Sequence, residues 1–259
     1  MQDKNKFEGM EAAGQLAAQV LDFITPHVVP GVKTDELNTL CHNYIIEHNA
    51  VPAPLNYRGF PKSICTSVNH VVCHGIPSDK VLVNGDIVNI DVTVILDGWY
   101  GDTSRMYYVG NNVLPKAKRL CQVTYDAMML GIDQVKPGEK LNKIGKAIQT
   151  YVEKQGFSVV RDFCGHGIGR VFHQNPNVVH YFDPECEVIM QPGMLFTVEP
   201  MINAGNYAVK VLSDGWTAVT RDKSLSAQFE HTIAVTEDGY QIFTWSPKGL
   251  NFPPYSSLI

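Results

Sequence analysis

No run of about 18 consecutive apolar residues occurs in this sequence, so a membrane-spanning helix is not expected. Cationic charge is scarce as well. Lysines and arginines number 21 against 26 aspartates and glutamates, for a formal charge of −5, and no block of five or six cations offers a docking strip for phosphates. No nucleic-acid binding is expected. The first stretch, MQDKNKFEGMEAAGQLAAQVLDF, is charged early and lacks an apolar signal core with a small-residue cleavage site, which reads as a cytoplasmic protein. The six cysteines, Cys41, Cys65, Cys73, Cys121, Cys164 and Cys186, form no CxxC pair, which removes zinc ribbons and thioredoxin-like motifs. Free thiols acting as small apolar residues are expected instead. HExxH is absent, excluding a zincin helix. The glycines around His166 run GxGxG with no following lysine and serine or threonine, so a phosphate-binding loop is not supported either.

What is present is an ordinary globular composition over 259 residues, 44% apolar and 18% charged, with ample chain for a core. Ala13, Leu16, Ala17, Val20, Leu21 and Ile24 mark one face of a helix over about residues 8 to 25. Thr34 is the expected N-cap of a second helix, with Asp35 and Glu36 in its first turn and Leu37, Leu40, Cys41, Tyr44, Ile45 and His48 on its apolar face. The pair recurs about 107 positions later: Pro137, Gly138 and Lys140 match Pro30, Gly31 and Lys33, while Ile144, Tyr151 and Val152 match Leu37, Tyr44 and Ile45. At an offset of 108, GDIVNID (Gly85 to Asp91) aligns with GMLFTVE (Gly193 to Glu199). A single α/β (α+β) domain over 1–259 follows, with halves at about 8–110 and 115–245 related by a pseudo-two-fold and sharing one sheet. The second half is rich in strands separated by turn signals, as expected for antiparallel hairpins; the proline-containing tail beyond Pro247 reads as irregular.

Chemistry concentrates in VNIDVTVILDGWYGDTSRMYYV. Asp91 interrupts a β-branched run, where an ionised carboxylate is costly without a positive partner. If Asp97 and Gly98 form a two-residue hairpin turn, Asp91 faces Ser104 and Asp102 is its diagonal neighbour on the same face; a bulge near Gly101 would change that register. Glu199 occupies the equivalent strand of the second half, and Glu230 starts a further strand, where the same hairpin logic matches it to Asp102. Four convergent carboxylates repel one another, and divalent cations, two by the count of acids, are the physical remedy. His166, among Gly165, Gly167 and Gly169 and after an expected strand FSVVRDF, supplies an imidazole. His74 and His173 are placed to meet a substrate carbonyl or amide. His42, His48, His70, His180 and His231 read as ordinary surface or core histidines.

In combination, NYRGFPKS, SVNHVVCHGIP, GDIVNIDVT, GDTSRM, CGHGIGRVFH, FTVEPM, DGWT and SAQFEHT closely resemble the methionine aminopeptidases, from about residue 10 to residue 245. The resemblance implies the pita-bread fold, a central antiparallel sheet covered by helices. It implies a dinuclear site in which Asp91 binds one metal, Asp102 and Glu230 bridge, and His166 with Glu199 bind the other. Glu199 would also be general base and proton shuttle, with His74 and His173 orienting the substrate. Tyr57, Phe60, Cys65, Phe172 and Trp216 would wall a methionine pocket, and Asn69, Val71 and Ser226 would hold a monovalent cation. The metals implied are Mn(II), Fe(II), Co(II) or Zn(II). The activity implied is removal of the initiator methionine from nascent chains, at the ribosome, by a monomer, when the second residue is small. Alternatives are an X-prolyl peptidase and a non-catalytic peptide-binding homologue. The 30 residues between Glu199 and Glu230 leave no room for a type II insertion, and the 90 residues before Asp91 are too few for a prolidase N-terminal domain. The short type I form is expected. Arg58 departs from the histidine that many relatives carry there.

Overall fold

The structure, a computed structural model, describes residues 2–255, with side chains from residue 7 onward. The outermost ends of the expected 1–259 span, including the last four tail residues, lie outside the described residues. Four helices, α1 (Gln2–Ile24), α2 (Thr34–Glu47), α3 (Pro115–Ile132) and α4 (Asn142–Lys154), lie in two sequential pairs. Each pair precedes or flanks a set of strands. The first set is β1 (Val51–Pro52), β2 (Cys65–Val68), β3 (Val71–Cys73), β4 (Ile87–Leu96) and β5 (Trp99–Tyr108). The second begins with β6 (Ser158–Val159), β7 (Gly165–Gly167), β8 (Gln174–Val178), β9 (Leu195–Val198) and β10 (Met201–Asn203). It ends with β11 (Val209–Val211), β12 (Ala218–Thr220), β13 (Ser226–Gln228), β14 (His231–Val235) and β15 (Tyr240–Ile242). Among the described residues no helix is long and apolar enough to cross a membrane.

The expected apolar stripe of α1 is fully used. Ala13, Ala17, Val20, Leu21 and Ile24 are wholly buried, and the helix packs on β4 and β5. The helix begins earlier than residue 8. Thr34 is not the N-cap of α2. It is the first helical residue, Lys33 holds the cap position, and the Thr34 hydroxyl donates to Ser78 O and accepts from Ser78 N. The cap is instead closed by Lys33 N donating to Glu36 Oε1 (3.2 Å).

One shared sheet is also corrected. The strands form four antiparallel ladders: β1-β4-β2 with β5 on β4, β13-β10-β6, β11-β12-β3, and β15-β14-β9-β7-β8. The first and last meet at a single bridge between Ser104 and Glu230, where Glu230 N donates to Ser104 O (3.2 Å). Proline and glycine explain part of this fragmentation. FTVEPMIN splits at Pro200, which has no N–H to give a ladder, and the strand expected through FSVVRDF shortens to β6.

The β4/β5 hairpin keeps an unbroken register from Ile87 opposite Tyr108 to Leu96 opposite Trp99, turning on Asp97 and Gly98 with no bulge at Gly101. Both turn residues have positive φ, 50° and 77°, as a type I′ turn requires. In the second half Val198 faces His231 and Met201 faces Gln228, so the same register carries Glu230 opposite Glu199. With Glu199 matching Asp91, Glu230 therefore takes the place of Ser104, and Gln228 that of Asp102. The match of Glu230 to Asp102 expected from hairpin logic fails because the observed register sets Glu230, not Gln228, opposite Glu199. The Ser104–Glu230 bridge thus joins two equivalent positions.

Behind the hairpin, Arg105 is 2% exposed and pairs with Asp22 of α1, itself 3% exposed. The Asp22 carboxylate also accepts Ser246 Oγ–H (2.8 and 2.9 Å), and Tyr107 Oη donates to Leu21 O (2.9 Å). Helix, hairpin and C-terminal segment are tied through one buried charge pair. Asp22→Ala leaves Arg105 buried without its counter-charge and is expected to cost about 3–5 kcal/mol. Urea unfolding measures this, and a loss below about 1 kcal/mol would contradict the structural role given to the pair.

Candidate metal centre

The hairpin register puts Asp91 opposite Ser104 and Asp102 opposite Thr93, on one face of the ribbon, as the turn chemistry required. Asp102 is 4% exposed and its Oδ1 accepts the Thr93 hydroxyl (2.7 Å). Thr232 Oγ1 donates to Asp102 O (2.7 Å) and Thr103 Oγ1 to Glu230 O (2.7 Å), so the hairpin is fastened to β14 on both sides of the Ser104–Glu230 bridge.

His166 arrives from β7. Gly165 permits it: a Cβ there would lie 2.3 Å from Thr197 O, so only glycine lets the chain pass. Thr197 Oγ1 accepts His166 N–H (3.0 Å) and donates to Glu199 Oε1 (2.7 Å), aligning two site residues through one hydroxyl. His166 Nδ1 lies 3.2 Å from Gly167 O. A carbonyl only accepts, so the ring proton belongs on Nδ1 and the Nε2 lone pair faces the acids. Nε2 stands 3.5 Å from Asp102 Oδ2 and 3.7 Å from Glu199 Oε1.

Asp102, His166 and Glu230 each present one ligand atom, all within 4.8 Å of one another. Asp91 and Glu199 line the same cavity outside that tightest trio. Burial, then repulsion from Asp102 and Glu199, pushes Asp91 and Glu230 well above the usual carboxylate range. Burial pushes Glu199 up to about 7, although His166 and Thr197 pull the other way. Burial alone would lower His166, but the facing Asp102 and Glu199 outweigh it and raise its pKa. Among the described residues no lysine or arginine pairs with these four acids. The donors fit a divalent cation. Two ligands each about 2.1 Å from a shared ion stand roughly 3.0–3.5 Å apart, close to the separations that His166 keeps from the acids.

Above the acids opens a cavity of about 370 Å³. Tyr57, Phe60, Cys65, Phe172 and Trp216 all line it, with His74 and His173. Phe60 meets Trp216 edge to face at 5.2 Å, and Tyr57 leans on Phe172 at 4.9 Å. His173 Nδ1 lies 2.9 Å from Tyr57 Oη. Burial, then His166, lowers His173 to about 4, and burial lowers His74, so both rings are neutral. Cys65, opposite Asp91 in the β2/β4 ladder, keeps its proton because burial and that carboxylate raise its pKa. Arg58, in the left-handed region at φ 48°, lies at the cavity with its guanidinium 5.3 Å from the Tyr57 ring. Asn69 and Ser226 meet through Ser226 N donating to Asn69 O (2.8 Å). Asn69 and Val71 line a second cavity, of about 320 Å³, that Ser226 does not border.

Residues missed at the sequence level hold the site together. Gln228 Nε2 donates to Glu199 Oε2 (3.2 Å), and Glu199 N donates to His180 Nε2 (3.0 Å). Cys73, Cys164 and Asp162 join the lining. The internal repeat could have found Gln228, since it occupies the position of Asp102; nothing in the neighbouring sequence singles out His180.

A buried, metal-ready cluster of acids and one imidazole on this fold defines a metallopeptidase, and the chain belongs to metallopeptidase family M24, whose description matches residues 8–237. Within that family it is 69% identical over 251 residues to the methionine aminopeptidase of Rickettsia prowazekii, covering 96% of each chain. It is 56% identical to that of Escherichia coli K12, over 92% of this chain and 90% of the relative. The crystal structure of the R. prowazekii methionine aminopeptidase superposes with a TM-score of 0.91 at 68% identity, over 93% of this chain and 97% of that one. A prolidase from Pyrococcus furiosus, 20% identical with a TM-score of 0.74, covers 93% of this chain and 64% of that one and shares the fold. The pita-bread fold, the methionine aminopeptidase likeness and divalent-metal binding all follow from these findings and the site.

Glu199 binds its proton more tightly folded than unfolded, so between about pH 4.5 and 7 the metal-free protein loses stability as pH rises. Bound cations remove that penalty by favouring the carboxylate. The rise in melting temperature on adding Mn(II) is therefore expected to grow from pH 5 to pH 7.5; an equal rise at both pH values would refute this electrostatic account.

Proposed function

We propose that this protein is a metalloexopeptidase that removes an N-terminal methionine when the second residue is small. The observation that carries the reading is the placement of Asp102, His166 and Glu230, mutually within 4.8 Å, at a cavity walled by aromatic side chains. Asp91, Asp102, His166, Glu199 and Glu230 would hold two divalent cations. When bound, the cations supply an acidified water and Lewis-acid polarisation of the peptide carbonyl. Mn(II), Fe(II), Co(II) and Zn(II) all suit four carboxylates and one imidazole.

The remaining work belongs to the protein. Glu199, as a carboxylate beside the reacting groups, takes a proton from the attacking water and delivers it to the leaving amine. His173, oriented by Tyr57, and His74 meet the substrate amide as neutral imidazoles. Tyr57, Phe60, Cys65, Phe172 and Trp216 enclose the methionine side chain, whose flexible thioether gains sulfur contacts with aromatic rings. Crowding beyond this pocket rejects a bulky second residue.

The chain acts as one catalytic unit built of two related halves, a cytoplasmic monomer that meets nascent chains at the ribosome. Asn69, Val71 and Ser226 would hold a monovalent cation. The prolidase likeness is one of fold at 20% identity, whereas the methionine aminopeptidase likeness is 69%, and the sequence carries all five candidate ligands, which a homologue that only binds peptides would not need.

Mn(II)-loaded protein is expected to release methionine from Met-Gly peptides and to leave X-Pro peptides intact. The reverse preference would establish the prolyl reading. Asp102→Ala is expected to lower kcat/KM at least about 100-fold, and unchanged turnover in that variant would overturn the metal assignment.

A further inference from the structure

Three side chains grip Glu199: Thr197 at Oε1, Gln228 at Oε2 and, at 3.5 Å, the main-chain O, and His180 Nε2 at the main-chain N–H, 3.0 Å away. The third grip is unusual in chemistry. His180 is 1% exposed, and a nitrogen that accepts an N–H carries no proton of its own, so the ring is neutral with its proton on Nδ1. That Nδ1 is buried without a partner among the described residues. An apolar side chain would fill the same space without stranding a polar atom. What the imidazole adds is one hydrogen bond, and that bond ends on Glu199.

Glu199 needs it because the strand stops there. Its neighbour Pro200 separates β9 from β10, and the β7/β9 ladder pairs only Gly167 with Phe196. His180 itself is rigidly carried. A Cβ on Gly145 of α4 would lie 2.1 Å from Tyr181 O and 2.7 Å from Val179 O, so the helix backbone bears directly on both residues flanking His180.

We propose that His180 is a positioning residue: through its acceptor bond to the Glu199 main chain, it fixes where the Glu199 carboxylate stands without occupying either carboxylate oxygen. This rests on the role given above to Glu199.

The test compares His180→Leu, His180→Gln and Glu199→Gln in the full-length protein. With Mn(II) loaded and a Met-Gly-Met substrate, His180→Leu is expected to lose about 10- to 100-fold in kcat with KM within about threefold, because the wall of the methionine pocket is untouched. His180→Gln offers a carbonyl acceptor and is expected to recover most of the loss. In calorimetric titration of the metal-free proteins, Mn(II) affinity is expected to fall in His180→Leu and to return in His180→Gln. A His180→Leu kcat within about twofold of the parent overturns the proposal, as does a loss that glutamine does not restore. If Glu199→Gln is inactive while His180→Leu is normal, only the positioning role fails; if Glu199→Gln keeps its kcat, the role of Glu199 fails first. Nitrogen NMR of histidine-labelled parent protein decides independently of whether the variants fold: a proton on Nε2 of His180 would overturn the proposal.

Discussion

Repulsion among four convergent carboxylates, Asp102 and Glu230 buried and Asp91 and Glu199 half-buried, is the constraint to which the rest of the structure answers. Asp91, Asp102, Glu199 and Glu230 come from both halves of the chain, and nothing in their own charges would bring them together. The opposing work is done by neutral hydrogen bonds placed around them: Thr93 on Asp102, Thr197 and Gln228 on Glu199, and the Thr103 and Thr232 hydroxyls across the seam. None of these neutralises a charge. The site is thereby left short of positive charge by design of its geometry, which is the condition for strong attraction of a small cation.

The protein's one deeply buried arginine lies elsewhere among the described residues, paired with Asp22. That separation has a consequence. Were Arg105 turned toward the acids, it would satisfy them and compete with any cation for the same oxygens. Held by Asp22 and Ala18 O on the α1 side of the hairpin, it anchors the helix while the opposite face of the same strand pair carries Asp102. A period-two ribbon thus separates a structural charge from the chemical ones.

Much of this was legible before the structure because it depends on local rules. Asp97 and Gly98 fix a two-residue turn, the turn fixes the register, and the register puts Asp91 and Asp102 on one face. His166 is legible as the imidazole that four acids call for, in a glycine-rich loop after a strand, whereas the wall of the cavity rests on resemblance, since no short-range rule connects Tyr57 to Phe172. Hairpin logic matches Glu230 to Asp102, but the register of the second half makes Ser104 its equivalent. His180 was invisible for a different reason. Its contact spans 19 positions and ends on a main-chain N–H, so no side-chain pattern encodes it. Thr34 was misplaced because its hydroxyl found a tertiary partner, the Ser78 main chain, that a local capping rule does not see.

The same segregation of charge gives the cavity two unlike ends. Its acidic end is suited to cations, whereas three groups of its wall are kept neutral: His74 and His173 are lowered by burial and Cys65 is raised. Near neutral pH none of the three carries charge, whereas in the metal-free protein Glu199 is raised to about 7. Burial acts on all of these residues, yet it favours neutral groups in the wall and, at Glu199, a proton that a bound cation would displace. The difference lies in what each group faces: rings in one case, like charges and a histidine in the other.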